Sequence, residues 1–89
     1  MKNRSTLYGI PPAPPSQKQI RELRVKAGLT QTEAAQSVHK TTRQWQRWEA
    51  GEPPMPPSTW ELFVLKMMHR GIAPPDYLEP YLRQYITTL

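Results

Sequence analysis

The positions of its prolines constrain the fold of this chain more than any other feature. A proline inside a helix removes a backbone hydrogen bond and its ring clashes with the preceding turn, so a proline cluster marks a boundary between elements. Between the clusters, apolar residues recur at helical spacing, and no segment shows the two-residue alternation of a β-strand. We therefore predict an all-α protein, a compact bundle of four to five short helices. The 11 prolines lie at positions 11, 12, 14 and 15, at 53, 54, 56 and 57, at 74 and 75, and at 80.

These clusters divide the 89 residues into three parts. Residues 1–15 form a proline-rich arm, for which a polyproline-type ligand is the alternative interpretation. Residues 16–73 form the main domain, and residues 74–89 form a C-terminal helical segment. The longest apolar run, at residues 62–65, is far too short to span a bilayer, and the N-terminus shows no apolar signal-peptide region. We expect a soluble, cytoplasmic protein.

Hydroxyl side chains mark where the helices begin. Ser16, Thr30 and Thr41 are each followed three residues later by glutamine or glutamate, which is the capping-box pattern. Ser58 is predicted to begin a fourth helix that continues to about residue 70. A fifth element is predicted over residues 76–88, where the proline at position 80 is tolerated only in the first turn. The first, third and fourth helices are predicted to stop at Gly28, Gly51 and Gly71.

Composition excludes several functional classes. The chain has no cysteine, which excludes disulfides, thiol nucleophiles and cysteine-based metal sites. His39 and His69 have no second histidine at ligand spacing, so we expect no metal and no cofactor. The sequence also lacks a Ser/His/Asp set, a paired carboxylate motif and a glycine-rich phosphate loop. We therefore do not expect an enzyme.

The formal net charge of +5 is concentrated in the first half of the chain. Residues 17–51 carry seven basic against three acidic side chains, whereas residues 52–89 carry three basic against four acidic ones. An excess of positive charge favours a polyanionic partner such as nucleic acid.

Two short predicted helices flank a tight connection at residues 38–40. Two such helices, joined by a turn of three to four residues, are typical of a DNA-binding helix-turn-helix. The run GLTQTEAAQSV at residues 28–38, followed by WxxWEAG at residues 45–51, resembles the Cro and lambda-type repressor family of XRE-like helix-turn-helix proteins. The resemblance covers residues 17–70. It implies a bundle of four or five helices that binds specific sequences of duplex DNA as a dimer.

The predicted third helix, within TTRQWQRWEAG at residues 41–51, has two distinct faces. At about 100° per residue, Trp45 and Trp48 share one side, which we interpret as packing. The opposite side is polar and is either a solvated face or a ligand-reading one. In the major groove arginine pairs with guanine and glutamine with adenine, and the first turns of a recognition helix supply such contacts. The predicted base-contacting residues are Thr42, Arg43, Gln46 and Arg47.

The turn departs from the family pattern at one position. His39 stands where these proteins commonly have glycine. A left-handed conformation costs about 1 kcal/mol for residues other than glycine, although histidine is among the more tolerant of them. We predict mild strain or a slightly altered turn, and we favour an exposed turn residue over a pH-sensing role.

The resemblance also implies roles for residues around these two helices. Family members place a glutamine at the position of Gln31 against backbone phosphate, which a helix N-terminus attracts through its unpaired amides and its dipole. Arg24 and Glu49 are implied to form an ion pair that joins the first helix to the end of the third. The predicted phosphate-contacting residues are Gln31, Lys40, Thr41 and Gln44.

The C-terminal segment is richer in apolar and tyrosine side chains than one helix of a small bundle can bury. Tyrosine also suits protein interfaces. We predict a dimerisation or partner surface there, with folding back onto the same domain as the alternative. The residues of this predicted surface are Tyr77, Leu78, Tyr81, Leu82, Tyr85 and Ile86.

These features predict a sequence-specific regulator of transcription that binds double-stranded DNA. We expect a repressor of the small phage or mobile-element type, a homodimer on a pseudo-palindromic operator, associated with the nucleoid through its DNA. An antitoxin with the same fold, which binds a toxin through its C-terminal helix or its arm, is the alternative. RNA is a weaker candidate partner, because two arginines and a glutamine on a short helix suit the DNA major groove better than the narrow RNA one. No membrane partner is expected.

Overall fold

A computed structural model of the protein describes the backbone of residues 13–87 and the side chains of residues 13–83. The described part is all-helical and contains no strand, which confirms the predicted fold class. None of its helices is both long and apolar enough to cross a membrane. The helices are α1 (Gln17–Lys26), α2 (Gln31–Ser37), α3 (Thr42–Glu49), α4 (Pro57–His69) and α5 (Glu79–Thr87).

The first three helices begin in the capping boxes that the sequence predicted. At α2, the Thr30 hydroxyl accepts a hydrogen bond from the Glu33 amide at 3.0 Å, and the Glu33 carboxylate accepts one from the Thr30 amide at 2.9 Å. Ser16 starts α1 and Thr41 starts α3 with the same reciprocal pattern. Each box supplies partners for two backbone amides at the helix entrance. The starts of these helices are therefore determined by local sequence.

The later helices begin differently from the prediction. Helix α4 starts at Pro57, one residue before Ser58, and has no side-chain cap. Proline suits this first position because its missing N–H would have no helical partner there. Helix α5 starts at Glu79, after a turn at residues 76–78, and not at residue 76. Pro80 lies in its first turn, as predicted, and the predicted end at residue 88 lies outside the described residues.

Helices α1 to α4 end in one backbone motif, in which the residue after the cap adopts a left-handed conformation. Gly28, Gly51 and Gly71 have φ values of 76°, 87° and 86°, and His39 has a φ of 62° at the end of α2. The amide of His39 donates to the carbonyl of Gln36 at 3.1 Å, and the next amide bonds one residue further back, as at the glycine ends. The turn at His39 thus keeps the regular geometry. Of the two outcomes predicted there, the altered turn does not occur, and the positive φ of His39 is the conformation that is unfavourable for a residue other than glycine.

An aromatic cluster at the centre of the core joins α3 to α4. The rings of Trp45 and Phe63 are 4.9 Å apart and inclined at 62°, and Trp48 and Trp60 extend the cluster on either side. Such edge-to-face pairs add about 0.5–1.5 kcal/mol to the free energy of area burial. The other buried apolar residues are Ile20, Leu23, Ala34, Ala35, Val38, Met55, Val64, Met67, Leu78 and Leu82.

The C-terminal segment folds back onto this core. Leu78 and Leu82 have no exposed surface, so their prediction as partner-surface residues is wrong. Both side chains belong to the buried core cluster, Leu78 from the turn that precedes α5 and Leu82 from α5 itself. Tyr77 remains 46% exposed, although its hydroxyl accepts a hydrogen bond from the Trp60 indole at 3.0 Å. Tyr81 is half-buried, and the predicted surface residues Tyr85 and Ile86 lie outside the described side chains, as do residues 1–12 of the arm.

Candidate nucleic-acid interface

The two faces of α3 are separated as the helical rotation predicted. Trp45 and Trp48 are 0% and 5% exposed. Arg43, Gln46 and Arg47 are exposed on the other side, and Thr42 is half-buried at the start of the helix. Within the part of the chain that the structure describes, no ion pair involves either of these two arginines. Their donors are therefore available to a ligand outside the domain.

Glu49, at the end of α3, is the acceptor of a hydrogen-bond network. Arg24 of α1 binds it in a bidentate manner, with Nε donating to Oε2 at 2.5 Å and Nη2 donating to Oε1 at 3.1 Å. The Trp45 indole donates to Oε2 at 2.6 Å, and the Gln31 amide donates to Oε1 at 3.0 Å. The Arg24 and Glu49 side chains are only 14% and 8% exposed. One carboxylate therefore joins α1, α2 and α3.

The charge of Glu49 is maintained despite this burial. Burial is the largest single influence and would by itself raise the pKa of the carboxyl group. Hydrogen bonds from Arg24, Trp45 and Gln31, together with the Arg24 charge, act in the opposite direction. Their combined effect is greater, so the pKa of Glu49 lies below its ordinary value of 4.5. The carboxylate is ionised at neutral pH.

Gln31 extends this network to the exposed face of α3. While its amide nitrogen donates to Glu49, its amide oxygen accepts a hydrogen bond from Gln46 Nε2 at 3.3 Å. The predicted base-contacting glutamine is therefore held by the predicted phosphate-contacting one. Gln31 is half-buried between them. The Gln31 side chain therefore has one hydrogen bond at its amide nitrogen and one at its amide oxygen.

The other predicted phosphate-contacting residues lie around the turn into α3. Lys40 is exposed, and no ion pair involves it within the described residues. Thr41 and Gln44 are exposed as well, but their side chains form the capping box of α3. They have a structural role before any ligand is bound. Lys40 is therefore the side chain of this group with the most freedom to follow a phosphate.

One contact at this interface was missed in the sequence. The hydroxyl of Thr42 donates to the hydroxyl of Thr32 at 3.0 Å and so connects the first turn of α3 to the first turn of α2. No motif distinguishes Thr32 from its neighbours, since the contact depends on the angle between two helices. The hydroxyl of a predicted base-contacting residue is thus fixed from the adjacent helix.

Comparison with known proteins agrees with this geometry. Residues 18–64 match a family model described as a helix-turn-helix domain, which is consistent with the resemblance to Cro and lambda-type repressors. Among curated proteins, none matches the chain. A helix-turn-helix domain indicates a DNA-binding regulator. Because the match extends over more than half of the 89 residues, the chain belongs to the helix-turn-helix domain family.

Proposed function

We propose that the protein is a transcriptional repressor that binds a specific sequence of double-stranded DNA. The observation that supports this most directly is the exposed face of α3, on which Arg43, Gln46 and Arg47 project from a helix anchored by buried tryptophans. Two guanidinium forks and one amide on a rigid helix provide the donors and acceptors that distinguish base pairs in the major groove.

The proposed contacts divide into two groups. Thr42, Arg43, Gln46 and Arg47 read base edges, and the network through Gln31 and Glu49 limits the directions that Gln46 can take. The backbone contacts come from the start of α2 and from the turn before α3. The residues proposed to contact phosphates are Gln31, Lys40, Thr41 and Gln44. Such contacts would set the register of α3 on the duplex.

The repressor and dimer parts of the proposal are supported by the resemblance to Cro and lambda-type repressors. Dimers of this class place two recognition helices about 34 Å apart on a pseudo-palindromic site. Because Leu78 and Leu82 belong to the core, a dimer surface in the C-terminal segment would use the exposed ring of Tyr77 and the neighbouring Tyr81. Tyrosine is enriched in interfaces of this kind.

Selection of bound fragments from a random pool of DNA duplexes tests the proposal. A consensus with two-fold symmetry is the expected result and would support both base reading and dimerisation. An asymmetric consensus would support a DNA-binding monomer instead, and no enrichment at moderate salt would reject DNA reading. The antitoxin alternative predicts in addition that a second protein co-purifies with the chain in stoichiometric amounts.

A further inference from the structure

The end of α2 receives a contact from a distant helix. The last four carbonyl groups of a helix have no partner within it. At α2, the carbonyls of Ala35 and Gln36 accept backbone amides from the turn. The carbonyl of Ser37 instead accepts a hydrogen bond from the ammonium group of Lys66, in the last turn of α4, at 2.5 Å. A positive charge at this position also interacts favourably with the negative end of the helix dipole.

This contact coincides with the strained turn of the helix-turn-helix. Helices α1, α3 and α4 end at glycines, which adopt the left-handed conformation at no steric cost. Helix α2 ends at His39, for which the same conformation is unfavourable. Within the described residues, it is also the end at which a side chain from another helix bonds a last-turn carbonyl. The energetically unfavourable turn at His39 and the hydrogen bond from Lys66 therefore occur at the same helix end.

Lys66 shares a face of α4 with Phe63, because the two residues are three positions apart. Phe63 packs its ring on Trp45 of α3, while Lys66 bonds the end of α2. Helix α4 thus contacts both helices of the motif through adjacent side chains, one contact apolar and one polar. A change in the polar contact would alter the position of α2 and its turn relative to α3.

We propose that Lys66 is a positioning residue for DNA binding, which holds the end of α2 and the His39 turn in the orientation that lets α3 enter the groove. The proposal rests on the function proposed above. It assigns to Lys66 no contact with DNA, since its ammonium group is directed at the Ser37 carbonyl. Its effect is on the relative placement of two helices, which both must meet one duplex.

The experiment compares Lys66→Met, which keeps the length of the side chain, with Lys66→Arg, which keeps the charge and donor. Lys26→Met is the matched control, because Lys26 also bonds a backbone carbonyl, that of Ala73 at 3.5 Å, away from the motif. We expect Lys66→Met to weaken binding to the selected consensus by about tenfold, within the usual range for residues that act through others. Lys66→Arg should restore most of the affinity, and Lys26→Met should leave it unchanged.

A second variant separates positioning from stability. His39→Gly removes the unfavourable left-handed conformation of the turn. The double variant His39→Gly/Lys66→Met should therefore regain the free energy of unfolding of the wild type without regaining its affinity for DNA. Recovery of both would show that Lys66 is only structural and would overturn the proposal. Equal affinity of wild type and Lys66→Met, measured where both are folded, would overturn it as well. If the wild type selects no sequence, the proposed function fails and the role of Lys66 fails with it.

Discussion

The indole N–H of Trp45 donates to the Glu49 carboxylate one turn later in the same helix, at 2.6 Å. The ring of Trp45 also packs against Phe63, so one side chain contributes both to the apolar core and to the polar network. A tryptophan satisfies both requirements because its apolar surface is large and its single donor lies at the edge. The inner side of α3 is therefore fixed by directional bonds as well as by burial.

Replacing the carboxylate of this network should destabilise the domain. In Glu49→Gln, the partly buried Arg24 loses its charged partner, and we expect the free energy of unfolding to fall by about 2–3 kcal/mol. Urea denaturation measures this change. Glu22→Gln is the control, because Glu22 forms an exposed pair with Lys18 at 3.9 Å, which should contribute less than about 0.5 kcal/mol. Equal losses in the two variants would contradict a special role for Glu49.

The two shifted glutamates predict opposite dependences of stability on pH. The pKa of Glu49 is lowered by folding, so the unfolded chain binds more protons and the stabilisation is lost as the pH falls below 4.5. The pKa of Glu61 is raised, first by burial and only partly offset by the Tyr81 hydrogen bond. Its contribution therefore declines as the pH rises above 4.5.

Unfolding free energies measured from pH 3 to pH 7, about the range over which carboxylates titrate, test this prediction. Glu49→Gln should flatten the loss of stability in acid. Glu61→Gln should make the rise of stability with pH steeper than in the wild type. A parallel displacement of both curves, with no change in slope, would show that neither carboxylate is linked to folding.

The strained turn predicts a stabilising substitution. His39→Gly should raise the free energy of unfolding by about 0.5–1 kcal/mol, because relief of the left-handed strain exceeds the extra entropy of the unfolded chain. Gly71→Ala is the converse control. Nothing lies within 4 Å of an added Cβ there, so its expected loss of about 1 kcal/mol comes from the backbone alone. A loss of stability in His39→Gly would mean that the imidazole makes a contact of its own.

The residues proposed to contact bases and those proposed to contact phosphates should differ in how their substitution affects DNA binding. Arg43→Ala is expected to cost about 1–3 kcal/mol and to relax preference at one base pair. Lys40→Ala should weaken binding to all DNA sequences equally. It should also reduce the slope of the logarithm of the binding constant against the logarithm of the salt concentration by about 0.9. Arg21→Ala, an exposed arginine on α1, is the control. Uniform weakening by Arg43→Ala would make Arg43 a phosphate contact.

The bond between Gln31 and Gln46 predicts coupling between their substitutions. Gln31→Ala should relax preference at the base pair that we propose Gln46 contacts, because the Gln46 amide loses its partner on α2. A double-mutant cycle with Gln46→Ala should give an interaction energy of about 0.5–3 kcal/mol in DNA binding. Strictly additive losses would show that the two glutamines act independently on the duplex.

Local features of the fold were predictable from sequence, because their partners are three or four residues apart. The capping boxes at Ser16, Thr30 and Thr41 and the two faces of α3 follow from helical periodicity alone. The start of α4 was misplaced because two residue types compete there, a hydroxyl cap at Ser58 and a proline at the preceding position. Proline at the first helical position took precedence.

Contacts between helices were harder to predict from the sequence. The pairing of Arg24 with Glu49, 25 residues away, came from resemblance to a family and not from spacing. The bond between Thr32 and Thr42 and that between Lys66 and Ser37 depend on interhelical angles that no local pattern encodes. The burial of Leu78 depends on how much core the other helices leave unfilled. That quantity is a property of the whole domain.

The separation of the two faces of α3 has an evolutionary consequence. Arg43 and Arg47 are exposed and lie outside the buried core, so we expect their substitution to cost little stability. With the base contacts proposed above, duplicated copies of such a gene would acquire new target sequences by changes at these two positions while the scaffold stays constant. Gln46 is less free to diverge, because a new residue there must also replace its bond to Gln31. Divergence of target sequence should therefore begin at the two arginines.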